Sequence, residues 1–390
     1  MRHPWSLSLI AALSLAACGG SATLPAASAP PASSASSAAA AKPASSAGAA
    51  AKPATSASAK PAASASGSGG LDALYQKAKG EGSVTWYDAT ATDVMAPLVQ
   101  EFEKTYPGIK VAYTDSKPPD IFTQVRVQET AHNVSIDVAD GAELNIPDTI
   151  NENLPSTVDW ASLGVPADLT INQQLVQEYS SVHVVIYNTQ KVAAADVPKS
   201  WDDLLDPKWK GQLAVDGRAT FMPQWVFDPS LGTDKAVAYA KKLAGQQPLF
   251  ESANEAIVPK VVSGQVAIGT TVLSTTLAAQ KKGAPIDIAV VNPTNIAPTY
   301  LYVPNGAPHP AAAQLLVAWM ATPAAQKVMN ANNNSLLAPK TNCPGNGSPV
   351  NDLLCQKKIE WYGPSSLQQL LDLPKFYQQV ETALGTYTGK

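Results

Sequence analysis

Polar side chains that could hold a small solute follow the first three predicted strands. The segment Asp88-Ala89-Thr90-Ala91 lies between the predicted strand 83–87 and a predicted helix. Free backbone N–H groups and the positive end of that helix would favour an anion there. Ser116 follows the second predicted strand, and Asp140 follows the third. Helix capping and turn formation use the same residue types, so a purely structural role stays open for each of them.

A second set of polar side chains follows two strands in the later part of the chain. Arg218 comes after the predicted strand 211–216, where its guanidinium could bind a carboxylate or a phosphonate through two hydrogen bonds. The competing interpretation is a surface arginine paired with a nearby aspartate. The predicted loop 270–276 follows the strand 266–269 and offers hydroxyl groups to a polar or anionic ligand. The hydroxyl-bearing candidates are Thr220, Thr270, Thr271 and Ser274.

No motif in the sequence indicates catalysis. The chain contains no HExxH, no GxSxG and no phosphate-binding glycine loop. Its four histidines are scattered along the chain. We therefore expect no enzyme, no metal ligands and no cofactor. The net charge of −4 and the lack of a basic stripe also argue against a nucleic-acid partner.

Alternating strand and helix patterns would position these candidates. The predicted strand 83–87, a helix that ends near Tyr106 and the predicted strand 109–113 form a βαβ unit, which implies a parallel pair. Further strands are predicted at 135–139, 181–187 and 286–291, and further helices at 71–79, 120–130, 233–244, 252–263, 310–321 and 323–332. The pattern predicts an α/β protein, in which ligands bind beside the carboxyl ends of strands.

The N-terminal region is typical of an exported lipoprotein. Residues 1–17 contain a short basic start and an apolar stretch too short to span a bilayer, which predicts a signal peptide. Leu15-Ala16-Ala17-Cys18 resembles a bacterial lipobox, which implies lipid attachment to Cys18. Residues 18–70 are mostly Ala, Ser, Pro, Gly and Lys, a composition typical of a disordered linker. We expect an extracytoplasmic protein anchored to the cell membrane, in a periplasm or on an outer cell surface.

Two further cysteines, Cys343 and Cys355, flank a loop rich in Pro, Gly and Asn. An exported protein meets an oxidising compartment, so we expect the two to form a disulfide. Closing a loop of about 13 residues would stabilise the fold by roughly 3 kcal/mol on the chain-entropy model.

Six segments in a fixed order carry a resemblance to a known family. They are 82–87 (GSVTWY), 102–111 (FEKTYPGIKV), 198–211 (PKSWDDLLDPKWKG), 263–269 (SGQVAIG), 307–313 (APHPAAA) and 321–328 (ATPAAQKV). On these segments the chain resembles the type II extracellular solute-binding proteins of bacterial ABC importers. The branch it resembles contains binders of ferric iron, thiamine and aminoethylphosphonate.

The resemblance implies a two-lobed type II fold of the periplasmic binding proteins. Each lobe would be a mixed sheet flanked by helices, and two crossover strands near 181–188 and 292–303 would join the lobes. Lobe 1 would comprise 71–182 and 300–390, and lobe 2 would comprise 188–292. A monomer would close on a solute between the lobes and deliver it to the importer's permease and ATPase subunits.

The resemblance and the residues together indicate the class of solute. In the iron binders of this family, the loop that matches 270–276 carries adjacent tyrosines that bind Fe(III). This chain has no tyrosine between Tyr239 and Tyr300, so we expect a small organic anion instead. A ferric-iron or iron-complex binder is the alternative within the family. A surface adhesin or scaffold lipoprotein is the alternative from another class, although we find no internal repeat.

Overall fold

A computed structural model of the chain describes residues 68–331 and 349–388. The predicted signal peptide, Cys18, nearly all of the predicted linker and Cys343 lie outside these ranges. The lipid anchor and the disulfide of Cys355 therefore stay predictions. Within the two described ranges, no helix combines the length and the apolar composition needed to cross a bilayer.

Helices and strands alternate along the described chain. The strands are β1 (Ser83–Asp88), β2 (Lys110–Asp115), β3 (Val138–Ala142), β4 (Thr170–Ile171), β5 (Leu175–Asn188), β6 (Leu213–Asp216), β7 (Leu249–Glu251), β8 (Ile268–Val272), β9 (Ile286–Ala289), β10 (Thr294–Tyr302) and β11 (Trp361–Tyr362). The α-helices are α1 (Ser68–Glu81), α2 (Thr92–Thr105), α3 (Pro118–Thr130), α4 (Ile146–Asn151), α5 (Gln224–Phe227), α6 (Thr233–Gly245), α7 (Ile257–Val262), α8 (Leu273–Lys281), α9 (Pro310–Met320), α10 (Pro323–Ala331), α11 (Pro349–Gln356) and α12 (Leu367–Leu384).

The strands form a mixed sheet in the order β2-β1-β3-β10-β5-β8-β6-β7. At one side β1 runs parallel to β2 and β3, and at the other side β6 runs parallel to β7 and β8. The two long strands β5 and β10 lie between these groups and pair with each other in antiparallel fashion. This is the mixed α/β architecture that the sequence predicts.

The strands β5 and β10 connect the two parallel groups. The first half of β5 pairs with β10, and its second half, from His183 to Asn188, pairs with β8 and β9. The end of β10, from Thr299 to Tyr302, pairs with β3. Both predicted crossover segments are therefore strands: β10 pairs with β3 of the first group, and β5 pairs with β10 and with β8 of the second group. The predicted two-lobed fold with two crossover strands is confirmed.

The predicted βαβ unit near the start of the sheet is also confirmed. β1 and β2 pair in parallel from Ser83 opposite Lys110 to Asp88 opposite Asp115. The helix α2 connects them and buries Met95, Leu98 and Phe102 completely, because spacings of three and four residues place these side chains on one face. The parallel pairing brings the carboxyl ends of β1 and β2 to the same edge.

An aromatic cluster fills the core beside β6 and α6. The Trp225 ring lies 5.3 Å from the rings of both Trp201 and Tyr239, and Phe221 stacks on Trp201. Tyr239 Oη donates a hydrogen bond of 2.9 Å to the Trp201 carbonyl. Trp225 is therefore a core residue rather than a surface for a ligand.

Two predicted boundaries are wrong near the candidate residues. The predicted loop 270–276 does not exist, because β8 continues to Val272 and α8 begins at Leu273. Threonine favours a strand, so the hydroxyl run extends the apolar strand instead of ending it. Asp140 lies inside β3 rather than after it. The helix α12, placed in lobe 1 from the sequence, contacts α4 and also α5 and α6.

Candidate functional site

The carboxylate of Asp88 organises the turn after β1. Its Oδ1 accepts hydrogen bonds from the backbone N–H of Thr90 at 2.7 Å and from Tyr113 Oη at 3.1 Å. The N–H of Ser116 donates to the Asp88 carbonyl at 2.8 Å. These bonds hold the predicted segment 88–91 beside Ser116, so the structure brings these candidates together at the edge where β1 and β2 end.

The helix α2 begins at this turn without a side-chain cap. Ala91 is its N-cap residue, and no side chain accepts a bond from the first turn of the helix. The alternative role of Thr90 as an N-cap is therefore not realised. Ala89 and Thr90 are half-buried and Ala91 is exposed, so the start of the helix can be reached by a solute. An uncapped helix start favours an anion.

Three buried carboxylates lie directly below this turn: Asp88 in β1, Asp140 in β3 and Glu178 in β5. We call them the acidic cluster. One carboxylate oxygen of each lies within 4.8 Å of the corresponding oxygen of the other two. The side chains are 0%, 2% and 0% exposed, respectively. Asp88 and Asp140, which the sequence places among the solute-binding candidates, are thus both buried in the described conformation.

Burial is the main cause of the raised pKa values in the acidic cluster. It raises the pKa of all three carboxyl groups, and the neighbouring negative charges raise those of Asp140 and Glu178 further. Two full charges 4.8 Å apart repel each other by roughly 3.5 kcal/mol at an effective dielectric constant of about 20. Three bare charges in this space would therefore be strongly unfavourable, and the cluster needs protons or a cation as compensation.

The buried carboxylate of Asp216 organises the turn after β6. Both Nε and Nη2 of Arg218 donate to Asp216, at 3.0 and 2.8 Å. The N–H of Arg218 and the hydroxyl of Thr220 also donate to this carboxylate, at 2.9 and 2.7 Å. Arg218 is therefore paired with a nearby aspartate, as the interpretation of Arg218 as a structural residue requires. Its side chain stays 46% exposed, and neither of its bonds to Asp216 uses Nη1.

The three hydroxyl candidates of β8 and α8 have different surroundings. The hydroxyl of Thr271 donates to the Asn254 carbonyl at 2.8 Å, so Thr271 holds the local fold together. Thr270 is buried, and its Oγ1 has no hydrogen-bond partner among the described residues. Ser274 is half-buried in the first turn of α8, and this helix also begins without a side-chain cap.

Polar residues that the sequence did not single out contact the turn after β6 or lie beside β8. Asn295 in β10 donates from Nδ2 to the Thr220 carbonyl at 3.2 Å, and Asn254 donates to the Thr220 hydroxyl at 3.3 Å. Burial lowers the pKa of His183 in β5 to about 4, so the imidazole is neutral at pH 7. The sequence signal that could have identified Asn295 and His183 is that polar residues are rare within apolar strands.

Ser83, His309 and Asp137 lie in the order of a catalytic triad but do not form a usable one. His309 Nδ1 lies 2.9 Å from Asp137 Oδ2, and its Nε2 lies 3.3 Å from the Ser83 hydroxyl. The adjacent start of α9 could supply an oxyanion hole, but the carboxylate of Glu81 accepts the N–H groups of Ala311 and Ala312. The arrangement therefore fastens α9 to the sheet.

Comparison with known proteins gives a consistent result. The family model for bacterial extracellular solute-binding proteins matches residues 97–342. A curated Fe(3+)-binding periplasmic protein of Serratia marcescens is 26% identical over 153 residues, which cover 36% of this chain and 41% of that protein. The chain thus matches less than half the length of this relative.

Solved structures share the fold at low sequence identity. The substrate-binding protein of an ABC transporter from Agrobacterium tumefaciens is 16% identical, with a TM-score of 0.63 over 78% of this chain and 94% of that one. Iron-bound HitA from Pseudomonas aeruginosa is 16% identical, with a TM-score of 0.61 over 78% and 99%. These similarities identify the type II fold and do not identify a ligand.

Proposed function

The chain belongs to the family of bacterial extracellular solute-binding proteins, which are not enzymes, and we propose that it is the substrate-capturing lipoprotein of an ABC importer. It would hold a small solute between its two lobes and deliver that solute to permease and ATPase subunits. The observation that carries this proposal is the pair of strands β5 and β10, which in the described ranges form the only strand connection between the two parallel groups. Family membership favours solute binding over the adhesin or scaffold alternative.

We place the lobes as the sequence suggests, with 71–182 and 300–390 in lobe 1 and 188–292 in lobe 2. The crossover of β5 at Val182 and His183, where its pairing changes from β10 to β8, supports this division. The helix α12 contacts elements of both proposed lobes. Closure would therefore be a hinge motion about the two strands, with α12 adjusting to it.

The solute is proposed to be a small organic anion. Two helix starts without side-chain caps, those of α2 and α8, support this choice. The half-exposed side chain of Arg218 adds a positive charge that Asp216 holds in a fixed direction, with Nη1 left out of that pair. The contacts that we propose are Ala89, Thr90, Ala91, Ser116, Arg218 and Ser274, and the buried candidates Asp88, Asp140, Thr220, Thr270 and Thr271 would support them from below.

Ferric iron is the second candidate because the Serratia marcescens relative is an Fe(3+)-binding protein. The residues at the corresponding position of this chain weigh against it. Thr270 and Thr271 have no phenolate oxygen, and Thr271 already donates to Asn254. A hydroxyl is a much weaker ligand for a transition metal than a carboxylate or imidazole.

Binding of a panel of solutes would test the proposal. The mature chain with Cys18→Ser, which prevents lipid attachment, would be heated with carboxylates, phosphonates, thiamine and Fe(III) in separate samples. Because a ligand that binds only the folded state raises the Tm, an organic anion should give the largest shift. A shift with Fe(III) alone would contradict the anion proposal, and no shift with any compound would count against solute capture.

The lipid anchor needs a separate test. The wild-type chain expressed in bacteria should partition into the membrane fraction and carry a lipid on its N-terminal cysteine by mass spectrometry. The Cys18→Ser chain should lack the lipid and be recovered without detergent. A wild-type chain with an unmodified Cys18 would refute the proposed anchor.

A further inference from the structure

We propose that the acidic cluster is a resident binding site for a hard divalent cation such as Ca²⁺ or Mn²⁺. The cation would lie between Asp88, Asp140 and Glu178, below the turn 88–91. This site goes beyond solute capture, since its ion would be a permanent part of lobe 1 rather than cargo. It also departs from the expectation, drawn from the sequence, that the chain has no metal ligands.

The pairing of the strands brings the three carboxylates together. Asp140 lies opposite Leu301 of β10, and Leu301 also lies opposite Val176 of β5. Glu178 is skipped between Gln177, which lies opposite Tyr300, and Tyr179, which lies opposite Thr299, so it is the extra residue of a β-bulge in β5. Asp88 ends β1, the neighbour of β3. Three strands of one sheet and the bulge in β5 thus bring the three carboxylates together.

The hydrogen bonds of the acidic cluster leave four oxygens available. Asp88 Oδ1 is bound by Thr90 and Tyr113, and Asp140 Oδ2 accepts the N–H of Ala89 at 3.2 Å. The remaining oxygens, Asp88 Oδ2, Asp140 Oδ1 and both oxygens of Glu178, are buried without a hydrogen-bond partner among the described residues outside the acidic cluster. Each aspartate is therefore oriented through one oxygen and offers the other, which is how supporting contacts position metal ligands.

Glu178 is the observation that points most directly to a bound ion. It is fully buried, and its oxygens have no hydrogen-bond partner in the described part of the chain outside the acidic cluster; within the cluster, its hydrogen bond with Asp88 requires a proton on one of the two carboxyl groups. A buried carboxylate without a partner is costly, so such groups are normally paired or bound to a metal. None of the ion pairs between described residues includes a member of the acidic cluster.

The geometry and chemistry of the oxygens define the class of ion. Oxygens on opposite sides of a Ca²⁺ ion are roughly 4.6 to 5.2 Å apart, so ligand atoms within 4.8 Å of one another fit around one such ion. A set made only of carboxylate oxygens favours hard cations over Zn²⁺ or Cu²⁺. The burial of all three side chains excludes a large organic cation from this space in the described conformation.

The test uses the mature Cys18→Ser chain and three cations. The protein would be purified without chelator for metal analysis by mass spectrometry. It would then be treated with EDTA, dialysed, and heated with Ca²⁺, Mn²⁺ or Mg²⁺. A bound divalent ion should be found in the first sample. At a hundredfold excess over Kd, the added ion should raise the Tm of the treated protein by about 5 °C.

Two glutamine variants make the test specific. Glu178→Gln removes one carboxylate of the acidic cluster and should abolish the cation-dependent rise in Tm. Glu143→Gln is the matched control, because Glu143 directly follows β3 and is also buried but lies outside the cluster. It should keep the full rise. Should Glu178→Gln fold poorly, Asp140→Asn tests the same ligand set.

Three results would overturn this proposal. They are a wild-type protein without bound metal whose Tm ignores all three cations, an equal response of Glu178→Gln and Glu143→Gln, or an unchanged response of Asp140→Asn. The first result would mean that the carboxyl groups share protons instead. None of these results bears on solute capture, which the Tm shifts with organic anions measure independently.

Discussion

Replacing Arg218 with alanine tests the solute-binding proposal and should also lower the free energy of unfolding by an amount that follows from the bonds it removes. The substitution removes the Nε and Nη2 bonds to Asp216 but keeps the backbone N–H and the Thr220 hydroxyl as donors. Bonds to a charged group contribute about 1.5 to 3 kcal/mol, and the half-exposed guanidinium reduces this value. We expect a loss of about 1 to 2 kcal/mol, or a Tm lower by about 2 to 5 °C.

The effect on solute affinity should be much larger than the effect on stability. If Nη1 of Arg218 binds an anionic group, its removal leaves a charged partner without its donor in a closed site. Such a loss is typically about 2 to 3 kcal/mol, which corresponds to a roughly 30- to 150-fold weaker Kd. Arg218→Lys should recover part of this affinity, since lysine keeps the charge but not the planar pair of donors.

Calorimetric titration with the best anion from the solute panel is the assay, and Arg126→Ala is the control. Arg126 forms an exposed pair with Glu152 at 3.6 Å and lies on α3, so its removal should change neither Kd nor Tm appreciably. If Arg218→Ala binds the anion as tightly as the wild type, Arg218 is only the structural partner of Asp216. A tenfold loss in both arginine variants would instead indicate a nonspecific charge effect.

Two further substitutions test single contacts. Burial raises the pKa of Glu143 from 4.5 to about 7, and Tyr377 Oη donates to it at 2.6 Å. The folded state thus holds this proton more tightly than the unfolded chain, so its stabilising effect is complete below about pH 4.5 and is lost as the pH rises through 7. The loss of stability in the wild type amounts to at most about 3 kcal/mol. Urea unfolding between pH 5 and 8 should show this loss in the wild type and not in Glu143→Gln. An equal loss in both proteins would refute the assignment to Glu143. At Gly269 an added Cβ would lie 2.5 Å from Ile257 Cγ2, so Gly269→Ala should lower the unfolding free energy by about 1 to 3 kcal/mol. Gly245→Ala is the control, because a Cβ added there meets no atom within 4 Å, and it should cause no such loss.

Much of the fold follows from local pattern. The helix α6 begins at the predicted Thr233, and α9 begins at the predicted Pro310, because proline suits the first helical position. Pro107-Gly108 separates α2 from β2, as the pattern indicates. The helix α12 was not predicted, since Pro374 lies inside it and a proline normally argues against a helix interior.

The acidic cluster could be found only in part from the sequence. Asp88 and Asp140 are predicted because they accompany strong strand signals. Glu178 is not, because the predicted strand begins at Ser181 while β5 begins at Leu175. The residues Gln177 and Glu178 disfavour a strand locally, and the pairing with β10, more than a hundred residues later, overrides this preference. Burial of Glu178 is likewise decided by tertiary contacts.

The proposed cation and the proposed anion should assist each other. Three ionised carboxylates below the turn 88–91 would repel an anion at the start of α2, and Asp88 already occupies the N–H of Thr90. A divalent cation would reduce the charge of the acidic cluster from as much as −3 to −1, so the anion should bind more tightly to the cation-loaded protein. By linkage, the anion should strengthen cation binding by the same factor. Titration of the anion into EDTA-treated protein with and without Ca²⁺ measures this coupling directly, and Glu178→Gln should remove it. An anion Kd that is identical in both titrations would mean that the acidic cluster shapes the turn without influencing the charge that the solute encounters.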